Sequence, residues 1–395
     1  VYDQVVQAAN GSDFAQQLER ELEGNVLPFW MAHTVDKVHG GFYGAVTHDL
    51  QVHNEVPRSA ILCARILWTY AAAHRRLGAA EYLVIAEWAY DYLTRVFWDQ
   101  DYGGLSWDVD RCGVPVTDRK HHYAQAFGIY GLAEYYRATR EPQSLALAQE
   151  LFHLLEEHAF DPVHQGYTEG SSRQWRALAD MRLSDRDLNC RKTMNTMLHI
   201  LEAYTNLMRV WDDAHLRAQQ RSLVGAFQHR IFDHQTGHFK LFFDNQWWSL
   251  SGNVSYGHDI EGSWLLWEAA EAQGDASLKA QLRESAVRLA AYSMRAGRKA
   301  WWMQTRRGGC RPRRWLASTM PTKSPVRPGL PRPPSSAGPT YKPSWWIAGM
   351  GVGSSNCTGM ARRIMPPTRP DPGRAPITTA GLAWRCSRAC GPMLA

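Results

Sequence analysis

The last hundred residues of this 395-residue chain contain no histidine and a single acid, Asp371, against 17 lysines and arginines. The preceding 295 residues are the reverse, with 27 basic and 37 acidic residues. The same last hundred hold 15 of the 20 prolines and 4 of the 7 cysteines. No apolar run approaches the ~20 residues of a membrane span, so a membrane partner is not expected. The cysteines show no paired spacing, which argues against a disulfide framework or a zinc ribbon. The opening stretch VYDQVVQAANGSDF has neither a basic n-region nor an apolar h-region. No signal peptide is expected from it, and a cytoplasmic protein is.

Residues 1–295 carry long segments with apolar residues three and four apart, as in SLALAQELFHLLEEHAF (144–160), TMLHILEAYTNLMRVW (196–211) and SWLLWEAAEAQG (263–274). This is the pattern of amphipathic helices with one buried face. A phrase recurs between them: VDKVHGGFYG, FWDQDYGGLSW, FDPVHQGYTEG and FDHQTGHFKLF. Its aspartates, Asp36, Asp99, Asp161 and Asp233, are 63, 62 and 72 residues apart. Acid, polar turn, glycine, then an aromatic or apolar residue predicts a turn followed by a short extended segment. One helical hairpin plus one decorated loop fits this period, and such hairpins must stack to bury their apolar faces. The expected fold is all-α, an (α/α)6 barrel of six helical hairpins with short β-hairpin-like loops. Periodicity alone also allows an open helical solenoid.

Chemistry-bearing residues gather in four segments: PRSAILCARILWTY (57–70), RKHHYAQAFGIYGLAEYYRATR (119–140), RKTMNTMLHILEAYTNLMRVW (191–211) and SYGHDIEGSWLLWEAAEAQG (255–274). Asn195 and His199 are four apart and share a helix face. His258 and Glu261 are three apart near a helix start, where a carboxylate bonded to one imidazole nitrogen would fix the tautomer and raise the basicity of the other. That suits abstraction of a proton from carbon. Each feature has a plain alternative. A histidine in an apolar helix is commonly core, a His–Glu pair at this spacing is commonly on the surface, and Arg65 can simply pair with an acid inside the ring. Tyr123, Phe127 and Trp264 can be core. His121 and His122 read as solvent-facing loop residues. Spacing alone leaves both readings open.

The wording of KTMNTMLHILEAYTNLMRVW and SYGHDIEGSWLLWEAAE, with ARILWTY, HYAQAFGIYGLAEYYRAT and HGGF, resembles the N-acylglucosamine 2-epimerase superfamily, and within it the cellobiose 2-epimerases. The resemblance runs from about residue 18 to 295. It implies an (α/α)6 barrel and a cofactor-free, metal-free reaction on a small-molecule disaccharide. A reducing-end glucose ring opens, the C2 proton leaves, and it returns on the other face through an enediolate to give mannose. By resemblance, His258 is a catalytic acid/base with Glu261 as its partner, and His199 assists ring opening or proton traffic. Arg65 stabilises the enediolate oxygen, an electrostatic role worth several kcal/mol, and Asn195 and Tyr123 contact the sugar. A monomer or weak homodimer is expected. The family usually reads Asn-Thr-His-Leu-His where this chain has Met197 in place of the first histidine. It also draws a second base from a C-terminal Trp-Lys-Gly-Pro-Tyr-His-Asn-Gly-Arg motif, yet no histidine follows His258.

The tail accounts for that gap. One codon choice for PGRAPITTAGLAWRC (Pro372 to Cys386), read from its third nucleotide, encodes Trp-Lys-Gly-Pro-Tyr-His-Asn-Gly-Arg-Ala-Cys-Leu-Glu-Met. The sequence therefore divides into a barrel domain at 1–295 and an aberrant basic, Pro/Arg-rich tail at 296–395. The tail is expected to be a shifted reading of the barrel's last part, with the frame lost between about Ser293 and Met320. A natural disordered extension and a nucleic-acid-binding tail are the alternatives, and nucleic acid is not an expected partner.

Overall fold

The computed structural model describes residues 11–183 and 187–306. The Arg- and Pro-rich stretch, and with it the frame-shift reading at Pro372 to Cys386, lies outside the described residues apart from the helix that runs to Arg306.

Two helical segments, α1 (Gly11–Glu21) and α2 (Leu27–His33), lead in, joined by a π turn at Leu22–Val26. Four hairpins follow among the described residues. Their inner helices are α3 (Ala60–Leu77), α5 (His122–Thr139), α7 (Met194–Leu207) and α9 (Tyr256–Gln273). Their outer helices are α4 (Ala80–Tyr92), α6 (Pro142–His158), α8 (Ala214–Ala226) and α10 (Ala276–Arg306). Each outer helix folds back on its own inner helix, and the inner helices pack side by side in chain order. Burial follows from sequence. Helix α5 is buried at every position from His122 to Tyr135, whereas α6 buries one stripe, Leu147, Ala148, Leu151, Phe152 and Leu155. A helix covered all round belongs to a central wall, and a striped one to an outer layer.

The inner helices start alike. Ser59, Thr193 and Ser255 cap α3, α7 and α9 by accepting from the backbone of Ile61, Thr196 and His258. Helices α3 and α9 end on left-handed Gly78 and Gly274. All four N-termini follow short extended segments that carry the loops, so the loops share one end of the bundle.

The recurring aspartate phrase is a turn, as expected. Each carboxylate accepts from the backbone two and three residues on: Val38 and His39, Asp101 and Tyr102, Val163 and His164, Gln235 and Thr236. Antiparallel bridges Val35–Phe42, Trp98–Leu105 and Phe160–Tyr167, and the two-residue strand Phe232–Asp233 against His238–Phe239, close the turns. In three of the four, a buried cation two residues before the next inner helix clamps the aspartate. Arg58 pairs with Asp36, Lys120 with Asp99 at 3.0 Å, and Lys192 with Asp161 at 2.9 Å. The fourth such position is Val254.

Two tryptophans lock successive loops together. Trp175 and Trp247 adopt left-handed backbone angles (φ 61° and 70°), a strained state for a bulky residue. Their indole N–H groups donate to the preceding loop, at Tyr102 O (2.9 Å) and His164 O (2.8 Å). The rings fill the space over Gly104 and Gly166, where a Cβ would lie 2.7 Å from the indole in both cases.

His121 and His122 are not the solvent-facing loop residues expected from sequence. Both are fully buried at the start of α5. His122 bonds Thr168 O (2.5 Å) and Ser171 Oγ (3.0 Å), and burial pushes its pKa down to about 4. His121 packs against Trp107. The short strands Lys120–His121 and Gly170–Ser171 pair over this point and cover the two rings.

Candidate active site

Because the inner helices begin in register, equal positions along them face one another. The sixth residues are Arg65, Phe127, His199 and Glu261; the ninth are Trp68, Tyr130, Glu202 and Trp264. The first level is chemical and lies just below the loops. The second is mostly aromatic, with Trp68 and Tyr130 stacked at 4.8 Å. Further down, Arg75 and Arg137 hold Glu134 at 2.8 and 2.7 Å, Arg137 and Arg209 share Asn206, and Arg209 reaches Glu268 at 3.1 Å. This ionic plug closes the far end, and polar chemistry is concentrated at the loop end.

At the chemical level the Arg65 guanidinium lies 4.1 Å over the Phe127 ring, and its Nη2 donates to Tyr123 Oη at 3.1 Å. Burial opposes its charge, but Tyr123, Glu261 and Glu202 outweigh that and hold its pKa above the ordinary value. His199 sits against Phe127 (4.7 Å) and edge-on to Tyr123 (5.1 Å), with Nδ1 2.9 Å from Glu202 Oε2. His258, on α9, has Nδ1 2.6 Å from Ser255 Oγ and Nε2 3.1 Å from Asn195 Oδ1. Burial lowers its pKa to about 4, with His199 and Arg65 adding to the effect. Asn195 and His258 keep partial exposure while Arg65, Tyr123, His199 and Glu261 are buried.

All six residues expected from sequence therefore converge at the N-terminal ends of α3, α5, α7 and α9. Helix dipoles there favour negative charge. One pairing differs. The two nitrogens of His258 meet Ser255 and Asn195 rather than Glu261, and Glu261 acts on Arg65 and Tyr123. The imidazole–carboxylate pair belongs to His199 and Glu202. Sequence reasoning missed Glu202 and Ser255. The signal for Glu202 was present: it stands three after His199, the very spacing weighed for His258 and Glu261. The signal for Ser255 was its place as helix cap.

Met197 is buried under the neighbouring loop, its Cε 3.2 Å from where a Cβ on Gly166 would lie. It takes the fourth position of α7, the position of Gln125 on α5 and Asp259 on α9. Those two grip loop backbone: Gln125 bonds both N and O of Leu105, and Asp259 accepts from Phe239 N. The departure at Met197 thus concerns a loop clamp. Among the described residues no group of three or more His, Cys, Asp or Glu is placed to hold a metal ion, and no helix is long and apolar enough to cross a membrane.

The N-acylglucosamine 2-epimerase (GlcNAc 2-epimerase) family matches residues 41–308. The chain belongs to that family. As a member, it is 49% identical over 276 residues to the cellobiose 2-epimerase of Bacteroides fragilis, covering 70% of each chain. The solved cellobiose 2-epimerase of Bacillus thermoamylovorans B4167 superposes with a TM-score of 0.67 at 40% identity, over 72% of each chain. The mouse N-acylglucosamine 2-epimerase is more distant, at 23% identity over 293 residues, 70% of this chain and 65% of its own. The all-α helical-barrel fold is common to this member and its solved relatives. The family match ends at residue 308, close to where the composition breaks.

Proposed function

We propose that this family member is a cellobiose 2-epimerase, an isomerase that interconverts the glucose and mannose configurations at C2 of the reducing-end sugar of β-1,4-linked disaccharides such as cellobiose and lactose. The observation that carries the reading is the meeting of two imidazoles, His199 and His258, beside the buried Arg65 cation at one end of the helical ring. The 49% identity to a cellobiose 2-epimerase supports the substrate class.

The chemistry follows from charge. A proton α to a carbonyl is released only if the enediolate oxygen is stabilised as the base accepts the proton. Arg65, held cationic by Tyr123, Glu261 and Glu202, supplies that stabilisation in a buried setting where it is worth most. His258 is neutral over the physiological range because burial, with His199 and Arg65 nearby, disfavours its protonation, so it is ready to accept a proton. Asn195 and Tyr123 orient the sugar, and His199 assists at its oxygens. None of these steps calls on a cofactor. The same reading carries a cytoplasmic, monomeric or weakly dimeric enzyme, checked by cell fractionation and sedimentation velocity.

The second base is encoded in the shifted frame of the tail on this reading, so the literal chain is inactive and the frame-restored one turns over. Incubation of cellobiose with the frame-restored protein in heavy water is the test. A mannose-ended product with deuterium at C2 supports the proposal. A fructose-ended product makes it an aldose–ketose isomerase, and sugar binding without exchange makes it a binding barrel.

A further inference from the structure

The two imidazoles have partners of different kinds. His199 Nδ1 faces a carboxylate, Glu202 Oε2, at 2.9 Å, and both side chains are buried (2% and 8% exposed). His199 Nε2 makes no hydrogen bond among the described residues. His258 Nδ1 instead faces the hydroxyl of Ser255 at 2.6 Å, and its Nε2 faces an amide oxygen. An ionised carboxylate only accepts, so its imidazole must keep a proton on the facing nitrogen. The Ser255 hydroxyl donates or accepts by rotating, but the Asn195 amide oxygen only accepts, so in this arrangement His258 carries its proton on Nε2 and Ser255 donates to Nδ1.

We propose that Glu202 is a positioning residue that pins His199 in the Nδ1–H tautomer with Nε2 turned to the sugar, the opposite of the Nε2–H form in which Asn195 holds His258. The inference rests on the epimerase reading for its consequence but not for its geometry. It divides the work of the site. His199 is a fixed group that always presents the same nitrogen to a sugar oxygen. His258 becomes free to take a proton at Nε2 once the Asn195 amide turns to the sugar, with Ser255 Oγ then accepting from Nδ1–H. The ring of His199 also packs between Phe127 and Tyr123. Glu202 lies one turn further along α7, on the level below, and reaches the ring from there.

The test is imidazole 15N NMR of the frame-restored protein, with His199 assigned by loss of its signal in His199→Gln. In the unsubstituted protein the His199 shifts are expected to show a protonated Nδ1 and an unprotonated Nε2. In Glu202→Gln, whose amide can donate as well as accept, they are expected to move toward a tautomer mixture, while His258 is unchanged. In the frame-restored enzyme, Glu202→Gln is expected to lower kcat about 100-fold with little change in KM. A His199 proton found on Nε2 in the unsubstituted protein overturns the proposal without recourse to any variant. So does a signature unmoved by Glu202→Gln, since a merely structural carboxylate would alter stability and not tautomer. Loss of the epimerase reading with the NMR pattern intact would sink the function and leave the positioning role standing.

Discussion

His258 Nε2 lies 3.1 Å from Asn195 Oδ1, joining the third residue of α9 to the second of α7 across the chemical end of the barrel. The contact holds the proposed base in a half-buried place, where its pKa falls to about 4. A base is active when unprotonated. The acid limb of kcat in the frame-restored enzyme is therefore expected near pH 4, not near the ordinary histidine value of about 6.5. Rate–pH profiles on cellobiose measure it directly. A limb at 6.5 would mean that His258 is not the group that accepts the proton. The same shift acts on stability. Below about pH 6.5 the unfolded chain takes up a proton that the folded chain refuses until about pH 4, so this residue's contribution is fully present above 6.5 and declines in between.

The Lys192–Asp161 pair ties a loop turn to the residue two before α7, the helix that carries Asn195 and His199. Burial alone would raise the Asp161 pKa, but the Lys192 hydrogen bond and charge with backbone donors hold it at about 2. A carboxylate so depressed stabilises the fold above its unfolded pKa near 4 and loses that contribution as pH falls through about 2, for about 2 kcal/mol in all. Lys192→Met leaves the carboxylate only His164 Nδ1 at 3.3 Å and its backbone donors, and is expected to cost about 3 kcal/mol at neutral pH. Denaturant melts at pH 7 and pH 2 should show the variant's deficit shrinking in acid. An equal deficit at both would assign the loss to packing.

Met197 presents a thioether where Gln125 and Asp259, in the same register, hold loop backbone. Met197→Gln is close in volume and offers a donor and an acceptor to the Tyr167 segment, which is related to Leu105 by the repeat. The expected gain is about 1 kcal/mol, read as a higher Tm with kcat unchanged in the frame-restored enzyme. A lower Tm would mean that the buried amide finds no partner, and that the repeat does not extend to this loop.

How much of this was visible beforehand depends on which physics wrote it. The hairpins, the aspartate turns and the residues of the site follow from local signals: periodicity, turn chemistry, and the wording around Asn195 and His258. What connects one hairpin to the next was not local. His121 and His122 look like loop residues because Lys120 precedes them, but that lysine is itself buried against Asp99, and strand pairing with Gly170–Ser171 roofs both rings. The partner of His258 was misjudged for a related reason. Spacing along α9 brought Glu261 within plausible reach, and the register between α9 and α7 gave the contact to Asn195 instead. Glu202 stood at an identical spacing from His199 and went unweighed, since nothing in one helix says which of two such pairs turns inward.

The tail sets the sharpest prediction, and it concerns nucleotides. If the frame is lost between about Ser293 and Met320, resequencing codons 290–395 should show an insertion or deletion there, and restoring the frame should encode the Trp-Lys-Gly-Pro-Tyr-His-Asn-Gly-Arg motif from the codons of Pro372 to Cys386. The physical consequence is testable on protein. Inner helices such as α3 and α5 bury nearly all their apolar residues against neighbours, whereas α9 leaves Tyr256, Ile260, Trp264 and Trp267 only partly buried; a ring missing its last hairpins would leave such faces open to one another in solution. The literal chain is expected to aggregate and to leave cellobiose unchanged, whereas the restored chain sediments as a compact species and epimerises. Soluble, active protein from the literal sequence would show that the basic, proline-rich segment is a genuine part of the enzyme, with His199 and His258 sufficient for the proton's removal and return.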